Sequence, residues 1–283
     1  MKKNQKGFSA VEAIVIILVL SVVGFVGWKV LSNKTGQSAA KDTSSLDQSQ
    51  TASTPVKANE LIWQQTDGGW RSMSTPPACK KPMVKLPADI SKATSVLYPG
   101  QTRGGNYKPH GGFRFDNTKD NKINLTAPFD GFLVRGGRYI AEGEIQYTFD
   151  AMNNCGVMFR VGHIRELPDN LQKIANTWPE ATASSATHNI SPAVFVKQGE
   201  LMGTKVGITA SSNTFFDMGI YDYRQANEAS KSQAYQAAHT QDKELSWYAV
   251  CWLKDWLPAD DVAAIAKLPA GDPASGKTSD YCK

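Results

Sequence analysis

The feature that most constrains this chain is a long apolar run at residues 8–28, directly behind Lys2, Lys3 and Lys6. At about 21 residues, the run is long enough for one helix across a hydrocarbon core of roughly 30 Å. Lysines ahead of such a helix stay on the cytoplasmic side of the membrane. The sequence therefore predicts a cell-membrane protein with a single pass, an anchor at residues 1–31, and an extracellular C-terminal domain.

The segment at residues 32–59 differs sharply from this anchor. It is rich in Ser, Thr, Gln, Ala, Lys and Asp, and it shows no helical periodicity of apolar residues. Chains of this composition cannot bury enough apolar surface to form a core. We interpret the segment as a flexible linker that leads to a folded domain beginning near residue 60.

The junction between Gly7 and Phe8, behind a short basic leader and followed by Glu12, resembles the signal of type IV prepilins. This resemblance implies cleavage after Gly7 and N-methylation of Phe8. It also implies a role for Glu12 in pairing with a neighbouring subunit, since a lone carboxylate in an apolar helix is costly. Pilins continue a long helix where this chain has its linker, so a tethered ectodomain is the preferred interpretation. A pilin-like surface subunit or adhesin with pilin-like assembly partners is the alternative.

Net charge argues against nucleic-acid binding. The formal charge is +5, but three of these charges are the leader lysines, and no cluster of Lys and Arg interleaved with aromatic residues occurs elsewhere. Nucleic-acid surfaces need such a basic patch. We expect no nucleic-acid partner.

Four cysteines, Cys79, Cys155, Cys251 and Cys282, follow the anchor, and none forms a C-x-x-C pair. An even number of cysteines in an exported domain favours disulfides. Of the three possible pairings we favour Cys251 with Cys282, which would secure the C-terminal tail and leave Cys79 with Cys155. Four free buried thiols are the alternative.

From residue 60 onward the pattern predicts a mainly β fold with a few short helices. Branched and aromatic residues at 131–134, 144–149, 157–161 and 193–196 are typical of short strands. Apolar spacing predicts a helix at 168–178, and residues 258–267 suggest a short final helix. The apolar stretch 247–257 must be buried. We divide this part of the chain into a β domain at 60–225 and a C-terminal extension at 226–283.

Five short motifs in the β domain together resemble the M23 (lysostaphin/LytM-like) peptidases, which cleave peptidoglycan cross-bridge peptides. They are PHGGF at 109–113, TAPFDG at 126–131, GHI at 162–164, VKQGELMG at 196–203 and TFFDMGI at 214–220. Their order and approximate spacing match the family over residues 90–224. The resemblance implies an antiparallel β-sheet domain with a site built from the first, third and fifth motifs.

In this family three protein ligands hold Zn²⁺ and leave one position open for water. The resemblance assigns the first ligand to His110 and the second to Arg114, which cannot bind zinc. The H-x-H pair, whose second histidine is the third ligand, falls on Phe215 and Asp217. His163 matches one assisting histidine, so we treat it as a vestigial or weak catalytic residue.

Arg114 and Asp217 replace two ligands with opposite charges. We therefore expect an ion pair between them to take the place of the metal, in a groove that also contains His110 and Asp116. A rebuilt metal site of His110, Asp116 and Asp217 is the rival hypothesis, although Arg114 would repel the cation. No cofactor is favoured, and zinc is possible.

These residues lead to two hypotheses for the domain, besides the pilin-like one. The altered ligands favour an inactive domain that binds peptidoglycan or another cell-wall polymer, or that regulates cell-wall remodelling. The alternative is a zinc endopeptidase that acts on peptidoglycan cross-bridges with an atypical metal site.

Overall fold

The computed structural model of the protein describes residues 60–116 and 118–282, all within one compact unit, Ser53–Lys283. The predicted membrane anchor, the linker and the processing residues Gly7, Phe8 and Glu12 lie outside the described residues. Within the described ranges, no helix is long and apolar enough to cross a membrane.

The described part of the chain is mainly β, as the sequence predicts, with thirteen strands and four short α-helices. The strands are β1 Trp63–Thr66, β2 Gly69–Ser72, β3 Ser95–Leu97, β4 Gln101–Arg103, β5 Asn106–Lys108, β6 Gly111–Arg114, β7 Lys122–Thr126, β8 Gly131–Ala141, β9 Glu144–Met152, β10 Val157–Glu166, β11 His188–Val196, β12 Leu201–Val206 and β13 Phe215–Asp222. The helices are α1 Asp169–Ala175, α2 Gln233–Ala238, α3 Lys243–Ser246 and α4 Ala259–Ala266. The predicted helix at 168–178 is therefore shorter than expected, and the one at 258–267 is present as α4.

Nine strands form one sheet in the order β11-β8-β9-β10-β13-β6-β3, with β12 paired to both β10 and β7. All of these pairings are antiparallel. The pairs β1–β2 and β4–β5 form two separate two-stranded sheets. Because β6, β13 and β10 are neighbours, the first, third and fifth motifs lie side by side at the middle of the sheet.

The hydrophobic core joins the sheet to the C-terminal segment. Phe113, Phe159 and Phe216 are fully buried on the strands, and Trp252 packs against Phe113 with ring centroids 5.9 Å apart. Trp252, Leu253, Trp256, Leu257 and Ile265 all belong to the same core cluster as the strand residues. Residues after 226 thus complete the core of the β domain rather than forming a core of their own. Within the 247–257 stretch, which the sequence predicts to be buried, five of eleven residues are buried and two, Lys254 and Asp255, are exposed.

Both favoured disulfides are present. Cys79 bonds Cys155, and Cys251 bonds Cys282. The second bond fixes the C-terminal tail beside the loop that precedes β6, where the Tyr281 hydroxyl donates a 2.7 Å hydrogen bond to the Pro109 carbonyl. The tail therefore supports the backbone immediately before His110.

Candidate functional site

A cavity of about 280 Å³ opens over the middle of the sheet. Its walls come from the end of β5, the start of β6, the β8–β9 hairpin, β10, β13 and the loop at residues 183–185. Titratable side chains that line it include Lys108, His110, Arg160, His163 and Asp217. Three of these residues, His110, His163 and Asp217, were selected by the motif comparison. The two cations, Lys108 and Arg160, were not.

Strand register places Asp217 between two glycines. Asp217 lies opposite Gly112 on β6 and opposite Gly162 on β10. A Cβ atom at Gly112 would lie 2.0 Å from the Phe216 carbonyl oxygen, so only glycine permits this close approach of β6 to β13. Since neither neighbour of Asp217 has a side chain, His110 and His163 can reach its carboxylate from both sides.

His110, Asp217 and His163 form what we call the acid–imidazole cluster. The Nε2 atoms of His110 and His163 lie 3.0 and 3.2 Å from the same oxygen of Asp217, Oδ2. Each side chain is about one-fifth exposed, at 19% for His110, 21% for His163 and 18% for Asp217. The His110 contact has the distance of a hydrogen bond but not its alignment, and His110 Nε2 has no other hydrogen-bond partner among the described residues.

A β-bulge aims His163 at this cluster. Two residues of β10, Gly162 and His163, stand against the single residue Thr148 of β9, and the register shifts there. His163 has a φ of 61°, which is uncommon for a residue with a side chain. Backbone strain of this kind persists where the surrounding structure enforces it, and it concentrates at functional sites.

Gln146 orients the His163 ring. The Gln146 amide nitrogen donates to the Gly207 carbonyl at 3.0 Å, so its Oε1 faces His163 Nδ1 at 2.5 Å and accepts the Nδ1 proton. The other ring nitrogen, Nε2, faces the Asp217 carboxylate at 3.2 Å. Each ring nitrogen of His163 therefore has one polar partner.

Two pKa shifts describe the charges of the cluster. Burial alone would raise the pKa of Asp217, but His110 and His163 outweigh it and hold that pKa well below its usual range. Burial lowers the pKa of His110, and Asp217 only partly offsets the effect. The cluster thus contains an ionised Asp217 beside a neutral His110.

The predicted ion pair between Arg114 and Asp217 is wrong. The Arg114 guanidinium instead binds Asp116 Oδ1, at 2.8 Å from Nη2 and 3.2 Å from Nε. Arg114 stands opposite Phe215, two residue pairs along the ladder from Asp217. Asp217 is already held by two imidazoles, and Asp116 offers Arg114 a partner on its own strand face, so the two charges are neutralised separately.

The rebuilt metal set of His110, Asp116 and Asp217 is not assembled either. Asp116 binds Arg114 and accepts a 2.7 Å hydrogen bond from the Thr94 hydroxyl, away from the acid–imidazole cluster. Among residues 60–116 and 118–282, no three His, Cys, Asp or Glu side chains form a group suited to a metal ion. With Arg114 at one ligand position, the residues present do not fit the zinc set that the resemblance implies, and we derive no step through zinc.

Sequence reasoning missed three groups at the cavity: Gln146, Tyr139 and Arg160. The Tyr139 hydroxyl lies 3.4 Å from both His163 Nδ1 and Gln146 Oε1, so it flanks the same imidazole. A signal was present in β9, where Gln146, Thr148 and Asp150 alternate as polar residues in an otherwise apolar strand. All three are buried, which marks this strand face as a polar interior rather than a solvated surface.

Comparisons with protein-family models, with curated proteins and with solved structures found no match to this chain.

Proposed function

We propose that residues 60–282 form an M23-like domain that binds peptidoglycan peptides without cleaving them. The observation that carries this proposal is the acid–imidazole cluster, in which both imidazoles converge on Asp217 Oδ2 in the wall of an open cavity. Binding sites are concave and present a few convergent polar groups, and this cavity has both properties.

The charges at the site favour binding over hydrolysis. A hydrolase of the M23 kind needs a metal-activated water, and the resemblance places one ligand at Arg114, whose guanidinium binds Asp116. The carboxylate of Asp217 is occupied by His110 and His163. These groups can position a bound peptide, and the Asp217 carboxylate, with both imidazoles against it, is not free to act as a general base.

The location that we propose follows from the sequence and agrees with the disulfides. Residues 8–28 would anchor the protein, and the prepilin-like junction at Gly7 would allow processing. Disulfides persist in oxidising compartments outside the cytoplasm, and both cysteine pairs of this domain are bonded. A peptidoglycan ligand would be within reach of a domain tethered there.

Cosedimentation with purified sacculi tests this proposal. The fragment 53–283, which contains the whole described core and both disulfides, should pellet with sacculi in a saturable way and release no muropeptides. The double variant His110→Ala/His163→Ala should pellet less. Lys231→Gln, a change in an exposed ion pair outside the cavity, is the matched control and should pellet like the parent.

Two results would overturn the proposal. A fragment that does not pellet has no affinity for peptidoglycan. A fragment that contains stoichiometric zinc and releases muropeptides in a His163-dependent manner is a metallopeptidase.

A further inference from the structure

The Arg160 guanidinium is an unusual feature of the cavity wall because its charge is poorly matched. Its only ion-pair contact among the described residues is to Asp150 Oδ2 at 3.6 Å, beyond hydrogen-bond distance. Asp150 is already bound by Arg135, whose Nε donates to the same oxygen at 3.0 Å. The Arg160 side chain makes no hydrogen bond within the described part of the chain, although it is only 19% exposed. A half-buried guanidinium in this state can bind an anion without first losing a strong partner.

The remaining charges around the cavity also favour an anion. Lys108 lines the same cavity and has no carboxylate partner among residues 60–116 and 118–282. The one carboxylate that lines the cavity is Asp217, which is already engaged by two imidazoles. The cavity therefore presents two cations, Lys108 without an ion pair and Arg160 with only its long contact to Asp150.

The size and the rim of the cavity indicate the kind of anion. About 280 Å³ is at or below the lower limit of typical ligand pockets, so it suits one end of a chain rather than a long segment. Ile140, at 40% exposure, and Ala183 supply apolar contact at the entrance. Ser185 adds an exposed hydroxyl at the wall. A small apolar residue that ends in a carboxylate matches this combination.

We propose that the cavity binds the terminal carboxylate of a peptidoglycan stem peptide, with Arg160 and Lys108 as its cationic partners. This inference rests on the proposed function and narrows its ligand to peptides that have a free C-terminal end. A guanidinium suits the task because it donates two parallel hydrogen bonds to a carboxylate. Cross-linked peptides, whose terminal carboxyl is in an amide bond, would bind more weakly.

Calorimetric titration with a matched pair of peptides tests the assignment. Both peptides end in D-alanine, one as the free acid and one as the carboxamide. We expect the fragment 53–283 to bind the acid about 10- to 100-fold more tightly than the amide, as for loss of one charged hydrogen-bonding contact. Arg160→Gln and Lys108→Met should each reduce this preference, whereas Lys231→Gln should retain it.

Lys108→Met guards against misfolding, because Lys108 lies on the short strand β5 and makes no ion pair within the described residues. If Arg160→Gln does not fold, Lys108→Met decides the question. Equal affinity for acid and amide would overturn the carboxylate assignment, as would binding to sacculi without measurable binding of either peptide. In both cases the peptidoglycan proposal stands. Loss of sacculus binding with a retained preference for the acid would instead overturn the proposed function and leave the carboxylate site in place.

Discussion

Two charge clusters lie on the same sheet, and only one of them faces a cavity. In the first, which we call the Arg135 cluster, Arg135 donates to Asp150 at 3.0 Å and to both oxygens of Glu244 at 2.8 and 3.0 Å. The Trp70 indole also donates to Glu244 at 2.8 Å. Each cluster retains one buried atom without a hydrogen bond among the described residues, Asp150 Oδ1 in the first and His110 Nε2 in the second, but only the acid–imidazole cluster lines the cavity.

This difference separates a structural role from a binding role. The Arg135 cluster joins β2, β8, β9 and α3, so its bonds hold distant parts of the chain together. The acid–imidazole cluster joins the β6 edge, β10 and β13, which the sheet already holds by backbone hydrogen bonds. Removal of the first should therefore mainly affect stability, and removal of the second should mainly affect binding.

The largest effect is expected from Arg135→Met. Methionine leaves the buried Asp150 carboxylate with only the long contact to Arg160 at 3.6 Å, which costs about 3–5 kcal/mol of unfolding free energy. For a domain of this size that loss lowers the melting temperature by roughly 10 °C. Calorimetry of the fragment 53–283 measures it, with Lys205→Met in an exposed ion pair as the control. An unchanged melting temperature would show that the Arg135 cluster is not structural.

A smaller loss of stability is expected from Asp217→Asn. The amide keeps the shape of the side chain but removes the charge that faces His163, at a cost of about 1–3 kcal/mol. His163 Nε2 then faces a neutral amide instead of a carboxylate, while Gln146 Oε1 still accepts the proton on Nδ1. Nitrogen-15 NMR of the imidazole rings reports this change directly. Asp116→Asn, just after the neighbouring strand β6, is the matched control and should leave the His163 signals unaltered.

The pH dependence of stability offers a third comparison. Burial lowers the pKa of His110 below its ordinary value of 6.5, so in acid the unfolded chain binds a proton that the folded chain does not. Stability should therefore fall as the pH decreases through 6.5. Asp217, whose folded pKa lies below 3.8, adds a second loss only at lower pH, as the pH falls through that folded value.

His110→Gln isolates the first of these losses. Between pH 7 and pH 5 the melting temperature of the parent should fall more steeply than that of the variant. If the melting temperatures of parent and variant fall by the same amount, His110 takes up a proton equally well in the folded and the unfolded state.

The smallest effect is expected from Arg114→Gln. The Arg114–Asp116 pair is partly exposed, at 32% and 43%, and such pairs contribute less than about 1 kcal/mol. Sacculus binding should also be unchanged, because Arg114 does not line the cavity. If this variant bound as poorly as Arg160→Gln, the ligand would have to extend beyond the cavity towards Asp116.

Local patterns in the sequence were sufficient to predict much of the fold. Alternation and β-branched content located β8, β9, β10 and part of β11, because these properties depend on neighbouring residues alone. The cysteine pairing followed from a simple argument about the tail. The resemblance of the motifs to a known family also led us to place His110 and Asp217 at one site.

Side-chain pairing could not be predicted in the same way. Whether Asp217 binds Arg114 or the two histidines depends on the ladder register and on the glycines at 112 and 162. The direction of His163 depends on a bulge that has no clear sequence signature. Arg160 was missed because a cation in a strand is ordinary until the structure shows that its carboxylate partner is already bound elsewhere.

The hydrogen bond from Tyr281 to Pro109 has a consequence for the timing of assembly. It spans 172 positions of the chain, so the loop that carries His110 gains this support only after residue 281 has been synthesised. The Cys251–Cys282 disulfide holds Tyr281 at that loop even if the backbone is cut between residues 276 and 281. The wall of the cavity is therefore completed late in synthesis and is then protected against cleavage of the tail.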